Sequence, residues 1–281
     1  MERADLLRDN GAIFKDQGKA INDNASKDVK VVVVGNPANT NAWVASQFAP
    51  DLSPTQFSAL TRLDHNRGLA QLAAKKNCKV SEIERFAIWG NHSKTQYPDI
   101  SHTLIKGNWV KDLIEDKEWK EKNFMPTVQD RGAAIIAARG KSSAASAGNA
   151  ALEHIRDWAY GTNDRWTSMA VYSDGSYGTE TGIYFSFPVV CSYGGYQIVQ
   201  NVPIDPFSAK MLQKTNDELV AERDQISKLV GIKREQWEDT YKRWKSDFEK
   251  KGTLPGLYPP SIDQPLINPN LVHKVKFKLL L

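Results

Sequence analysis

Between Leu60 and Ser93 the chain places an acid at Asp64, an arginine three residues on at Arg67, and a histidine at His92 inside a Gly90-Asn91-His92-Ser93 turn. These three residue types suit one task. A carboxylate that holds an imidazole in one tautomer and stabilises its charged form lets the ring exchange a proton with a substrate hydroxyl near neutral pH. An arginine beside the pair can grip a substrate carboxylate through two parallel hydrogen bonds. Other chemistries fit less well. His65, His92, His102, Asp64 and Asp99 show neither the HxxxH nor the CxxC spacing of zinc sites, so no metal is expected, and no GxSxG elbow presents a serine nucleophile. A loop histidine alone is most often solvated, and an isolated DxxR is most often a surface ion pair. What lifts this set above that reading is the succession of Asn36-Pro37, Asp64/Arg67 and Gly90-Asn91-His92 at the ends of regular elements.

Those elements can be read from the pattern. Residues 1 to 27 give a helix followed by polar spacing, and the run Val29 to Val34 before Gly35-Asn36-Pro37 reads as a strand buried on both faces, as in a parallel sheet covered by helices. Ligands of open α/β sheets bind at the carboxyl ends of such strands. Thr40 to Phe48 is helical, and a longer helix from Asp64 to Lys76 puts Asp64 and Arg67 on one face of its first turn. Glu84 to Trp89 reads as one short strand leading into the histidine turn. Asp112 to Trp119 is a short amphipathic helix, and the alanine-rich stretch from Ala133 through Tyr160 has small residues suited to close packing. Thr167 to Tyr172, Tyr184 to Cys191 and Tyr196 to Asn201 alternate as antiparallel strands, and Pro206 to Gly231 is a long amphipathic helix. Beyond Ile232 the composition shifts to a helix with exposed aromatics, a proline-rich arm, and a KVKFK strand or tail.

With 281 residues, 41% hydrophobic and 25% charged, the chain can bury a substantial core. Its net charge of +4 comes with no dense basic run, which argues against nucleic acid, and no apolar stretch approaches membrane-spanning length. Cys78 and Cys191 belong to no CxxC pair, and the charged N-terminus lacks the apolar core of a signal peptide, so a reducing, cytoplasmic setting is expected.

The segments VVVVGNPANTN, LTRLDHNR, IWGNHSKTQYPD, VQDRGAA and SDGSYG, from Met1 to about Leu229, closely resemble the cytosolic malate dehydrogenase branch of the lactate/malate dehydrogenase family. LDHNR followed by WGNHS is the specific part of that likeness. The resemblance implies an α/β fold: part of a Rossmann-type NAD-binding domain over 1–58, an α+β substrate domain over 59–231, and an extension over 232–281. It implies reversible oxidation of malate to oxaloacetate with NAD, His92 as general acid/base and Asp64 as its orienting carboxylate. Arg67 would clamp the substrate's C1 carboxylate, Arg3 would help read the second carboxylate, and Asn36 would meet both substrate and cofactor. Asn10, Val34 and Gly35 would line the cofactor edge, and Ser143 would turn a hydroxyl toward the substrate. A homodimer is implied too, with helices around Ala42 to Phe48 and Ala144 to Arg156 contributing.

The chain contains no Gly-rich strand-turn-helix for a pyrophosphate. The expectation is therefore an incomplete sequence of an ordinary dehydrogenase, inactive as it stands. The alternatives are a short isoform serving as an interaction or structural subunit, or a dehydrogenase for another 2-hydroxy acid. In a truncated chain the exposed strand Val29 to Val34, without its sheet neighbours, would be an aggregation hazard.

Overall fold

The computed structural model describes residues 3–114, 116–251 and 276–281. The chain opens with helix α1 (Arg3–Asn24), strand β1 (Lys30–Val33), helix α2 (Ala38–Gln47), strand β2 (Phe57–Ala59) and helix α3 (Arg62–Lys76). Val31, Val32 and Val33 are wholly buried, as the β-branched run requires. Side-chain alternation then sends Val31 and Val33 into one core with α1 and α2, and Val32 into a second core on the opposite face of the sheet.

The middle of the chain forms small strands and short helices: β3 (Ile83–Glu84), β4 (Ala87–Trp89), β5 (Tyr97–Asp99), β6 (Leu104–Ile105), β7 (Asn108–Trp109), α4 (Val110–Leu113), α5 (Lys117–Trp119), α6 (Met125–Gln129) and α7 (Arg131–Arg139). The strand expected over Glu84 to Trp89 is two strands. Arg85 lies at φ +58 between them, breaking the extension, so β3 joins a sheet with β6 while β4 pairs with β5. The single helix expected over Asp112 to Trp119 is likewise divided into α4 and α5. No residue of α7 is buried, so its small side chains face outward and do not make the close packing expected of them.

Helix α8 (Ala145–Tyr160) leads into strands β8 (Thr167–Tyr172), β9 (Tyr184–Ser192) and β10 (Gly195–Ile198), followed by helices α9 (Pro206–Val230) and α10 (Arg234–Lys251) and a last strand, β11 (Phe277–Leu280). One mixed sheet collects six strands in the order β10-β9-β8-β2-β1-β11. β1 runs parallel to β2 on one side and to β11 on the other. The edge expected to be bare at Val29 to Val34 is therefore covered, in the register Val31↔Lys278 and Val33↔Leu280.

One further expectation changes. Two aromatics of α10 pack against the rest of the chain: Trp244 is buried against Tyr172, and the guanidinium of Arg223 lies 4.3 Å over the Trp237 ring. Every residue of α2, from Ala38 to Gln47, is buried within the chain itself. On α8, Leu152 and Tyr160 remain exposed. The proline-rich arm falls outside the described residues. Among the described residues no helix is long and apolar enough to cross a membrane.

Candidate active site

Two elements supply the acid, arginine and histidine: helix α3 and the turn after β4. Asp64 sits in the first turn of α3, where a carboxylate complements the helix dipole, and is completely buried. Arg67, one turn further, donates from a guanidinium nitrogen to Asp64 Oδ1 at 3.1 Å. His92, in the turn after β4, hydrogen-bonds through Nδ1 to Asp64 Oδ2. A buried carboxylate needs such partners, because an unpaired charge away from water is strongly disfavoured. The His92 side chain keeps 20% exposure against 0% for Asp64, so the ring is anchored below and open above.

The bond to Asp64 fixes the chemistry of the ring. An ionised carboxylate only accepts, so Nδ1 carries the hydrogen in the neutral ring and Nε2 is left as the base. Protonation at Nε2 makes a cation whose charge Asp64 offsets.

The turn itself is built by close contact. Gly90 has φ +91, and a Cβ there would lie 2.1 Å from Thr215 Cγ2 on α9. Its backbone exchanges hydrogen bonds with Ser186 of β9, at 3.0 Å from the Gly90 N–H and 2.9 Å to its carbonyl. Asn39, wholly buried in α2, accepts from the His92 backbone N–H at 3.0 Å and donates to the Gly90 and Tyr184 carbonyls. Beneath α3, Arg62 donates to Asp157 Oδ2 at 2.5 Å and to Thr167 Oγ1 at 2.9 Å, which ties the helix to α8 and β8. His65 bonds Ser168 Oγ at 2.8 Å, and burial followed by the nearby Arg62 charge pushes its pKa down to about 3. Burial pushes the Cys191 thiol up, leaving it protonated and unreactive.

The other expected site residues divide. Asn10 and Asn36 are brought together, the Asn10 amide donating to the Asn36 carbonyl at 2.6 Å, and the Asn36 side chain is exposed beyond the carboxyl end of β1. Val34 and Gly35, expected at a cofactor edge, give their backbone N–H groups to the Leu280 carbonyl of β11, at 2.7 and 3.4 Å. A Cβ on Gly35 would lie 2.8 Å from the Leu281 backbone, so that edge is filled by the chain's own last residues. Ser143 lies in the bend between α7 and α8 and shares no hydrogen bond with Asp64, Arg67 or His92. Arg3 begins α1, but its side chain is outside the described residues. Cavities of about 570 and 620 Å³ lie elsewhere, and neither is lined by Asp64, Arg67 or His92.

Sequence reasoning missed Asn39 and the face of α9 that meets the turn. Thr215, Glu218 and Glu222 recur at helical spacing, which was the available signal.

Comparison with known proteins gives a consistent result. Residues 61–230 match the lactate/malate dehydrogenase alpha/beta C-terminal domain, and residues 1–57 match the lactate/malate dehydrogenase NAD binding domain. A malate dehydrogenase from Naegleria fowleri is 53% identical, with a TM-score of 0.78 over 82% of this chain and 70% of that one. A lactate dehydrogenase from Trichomonas vaginalis, solved with NADH and oxamate, is 31% identical, with a TM-score of 0.78 over 82% of this chain and 71% of that one.

Proposed function

The chain belongs to the lactate/malate dehydrogenase family, and from that premise we propose that its site performs the proton chemistry of a malate dehydrogenase, interconverting (S)-malate and oxaloacetate. The family is one of NAD-dependent oxidoreductases. The observation that carries the reading is Asp64 held between Arg67 and His92. Malate is favoured over lactate by the higher identity to the Naegleria malate dehydrogenase, 53% against 31% for the Trichomonas lactate dehydrogenase.

In the forward direction the malate C1 carboxylate pairs with the Arg67 guanidinium, which orients C2. His92 Nε2 accepts the C2 hydroxyl proton as the C=O bond forms and the hydride leaves C2. NAD, when bound, supplies the hydride acceptor. Asp64 stabilises the imidazolium and holds its ring plane, and the reverse reaction returns the same proton to oxaloacetate. Asn36, exposed beyond the carboxyl end of β1, supplies an amide to substrate and cofactor.

The chain's residues fit the cofactor at one end only. Asn36 is free to meet a nicotinamide, but the Val34 and Gly35 amides are engaged by β11, and no Gly-rich turn for the pyrophosphate occurs in the sequence. We therefore propose that the 281-residue chain by itself does not turn over oxaloacetate with NADH. The reading is tested by joining the chain, with residues 276–281 removed, behind a strand-turn-helix half that carries a GxxGxxG turn. The expected result is NADH-dependent reduction of oxaloacetate in preference to pyruvate. No turnover of either acid, or a preference for pyruvate, would contradict it.

A further inference from the structure

One face of the long helix α9 is occupied by the turn that carries His92. Three donors from that turn converge on a single oxygen, Glu218 Oε2: the Asn91 side-chain amide at 2.8 Å, the Ser93 hydroxyl at 2.5 Å and the Thr95 hydroxyl at 2.6 Å. The Asn91 amide also reaches Glu222 Oε1 at 3.1 Å, so one NH2 group bridges two carboxylates. Glu222 is buried, and its other oxygen accepts from Thr40 of α2 at 2.5 Å. Thr215 Oγ1 receives the Asn91 backbone N–H at 2.9 Å. Residues on both sides of His92 are thus clamped to one helix, while the His92 ring is joined to Asp64 of α3 and its backbone N–H to Asn39 of α2.

We propose that Glu218, with Glu222 behind it, is a positioning residue for His92, which sets the height and tilt of the imidazole against Asp64. The reason is physical. Hydrogen bonds to a charged acceptor are roughly twice as strong as neutral ones, and three on one oxygen restrain a turn that has no regular structure of its own. A displacement of about 1 Å at such a site costs about 10²-fold in rate. Glu222 is buried and Glu218 partly so, and both carboxylates are themselves stabilised by these donors, so neither half of the network is comfortable without the other. The inference rests on the reading of His92 as the proton-transfer residue and adds what holds it there.

The test reads geometry and needs no turnover. In the intact chain, the His92 Nδ1–H bonded to Asp64 is expected to give a low-field proton resonance, to be assigned by its loss in Asp64→Asn. Glu218→Ala is expected to abolish that resonance while circular dichroism and near-native melting show an intact fold. Glu218→Gln is expected to retain it in part, because its carbonyl oxygen offers two lone pairs to the same donors without the charge. Should Glu218→Ala fail to fold, the double variant Ser93→Ala/Thr95→Ala removes two of the three donors and leaves the acid in place; the resonance should again be lost or broadened. An unchanged resonance in a folded Glu218→Ala or in the double variant overturns the proposal. So does loss in Glu218→Gln equal to that in Glu218→Ala. This signal is independent of the malate assay, so either reading can fail while the other stands.

Discussion

His92 is joined through Nδ1 to Oδ2 of Asp64, which is completely buried, while the other oxygen of that carboxylate is held by Arg67. One carboxylate thereby fixes the tautomer of the base and the direction of the arginine. Asp64→Asn keeps the shape but replaces an ionised acceptor with an amide, so the imidazolium loses its counter-charge and the ring can adopt the wrong tautomer. In the chain joined to a dinucleotide-binding half, kcat should fall about 10²- to 10⁴-fold with little change in NADH affinity, measured by steady-state kinetics and fluorescence titration.

Arg67→Lys separates binding from proton transfer. An ammonium keeps the charge beside Asp64 but cannot present two parallel donors to a substrate carboxylate. Losing one charge-assisted hydrogen bond, worth about 1.5–3 kcal/mol, should lower kcat/KM for oxaloacetate roughly tenfold to a hundredfold, mostly through KM. An unchanged KM would remove Arg67 from the carboxylate clamp.

Two histidines outside the site predict how stability depends on pH. Burial, and then the Arg62 charge, push His65 and His154 down to about 3 from an ordinary value of 6.5. Between those values the unfolded chain binds more protons than the folded one. Their contribution is therefore complete above about pH 6.5 and is lost as pH falls toward 3. Among the described residues neither ring nitrogen of His154 has a hydrogen-bond partner, so His154→Leu should cost little at pH 7 and flatten the acid side of the stability curve. Urea midpoints at pH 7 and pH 4.5, compared for the two proteins, check this; equal losses in both would contradict it.

Gly90 is the backbone position on which the site depends most. A Cβ there meets Thr215 at 2.1 Å, at a φ of +91 that side chains rarely adopt. Gly90→Ala should destabilise by about 2–4 kcal/mol in urea unfolding. Gly107, at φ +78 with nothing within 4 Å, provides the comparison: alanine there should cost only about 1 kcal/mol or so of backbone strain.

Some of this was legible in the sequence and some was not, for identifiable reasons. The pairing of Asp64 with Arg67 follows from three-residue spacing at the start of a helix, and β1 follows from its valine run, because both signals are local. Residue types suggested that His92 and Asp64 act together, and resemblance supplied the specific assignment, since the two lie on different elements. The split between β3 and β4 turns on one residue, Arg85, in a left-handed conformation that no composition rule marks. The inward face of α9 was hidden because Glu218 and Glu222 look like the solvated charges around them, and only their partners in the turn give them a different role. β11 was read as a strand or tail; its parallel pairing with β1 is a contact between distant parts of the chain, which local patterning does not encode. That pairing also changes what was expected of Val34 and Gly35, whose backbone donors are taken.

The central claim is that His92 is the proton donor and acceptor of a malate dehydrogenase site. The most direct measurement is kcat/KM for oxaloacetate with NADH in the chain joined to a dinucleotide-binding half, with His92 and with His92→Ala. The account predicts a loss of about 10²- to 10⁴-fold in the variant with NADH binding retained. Near-native turnover in His92→Ala would contradict it.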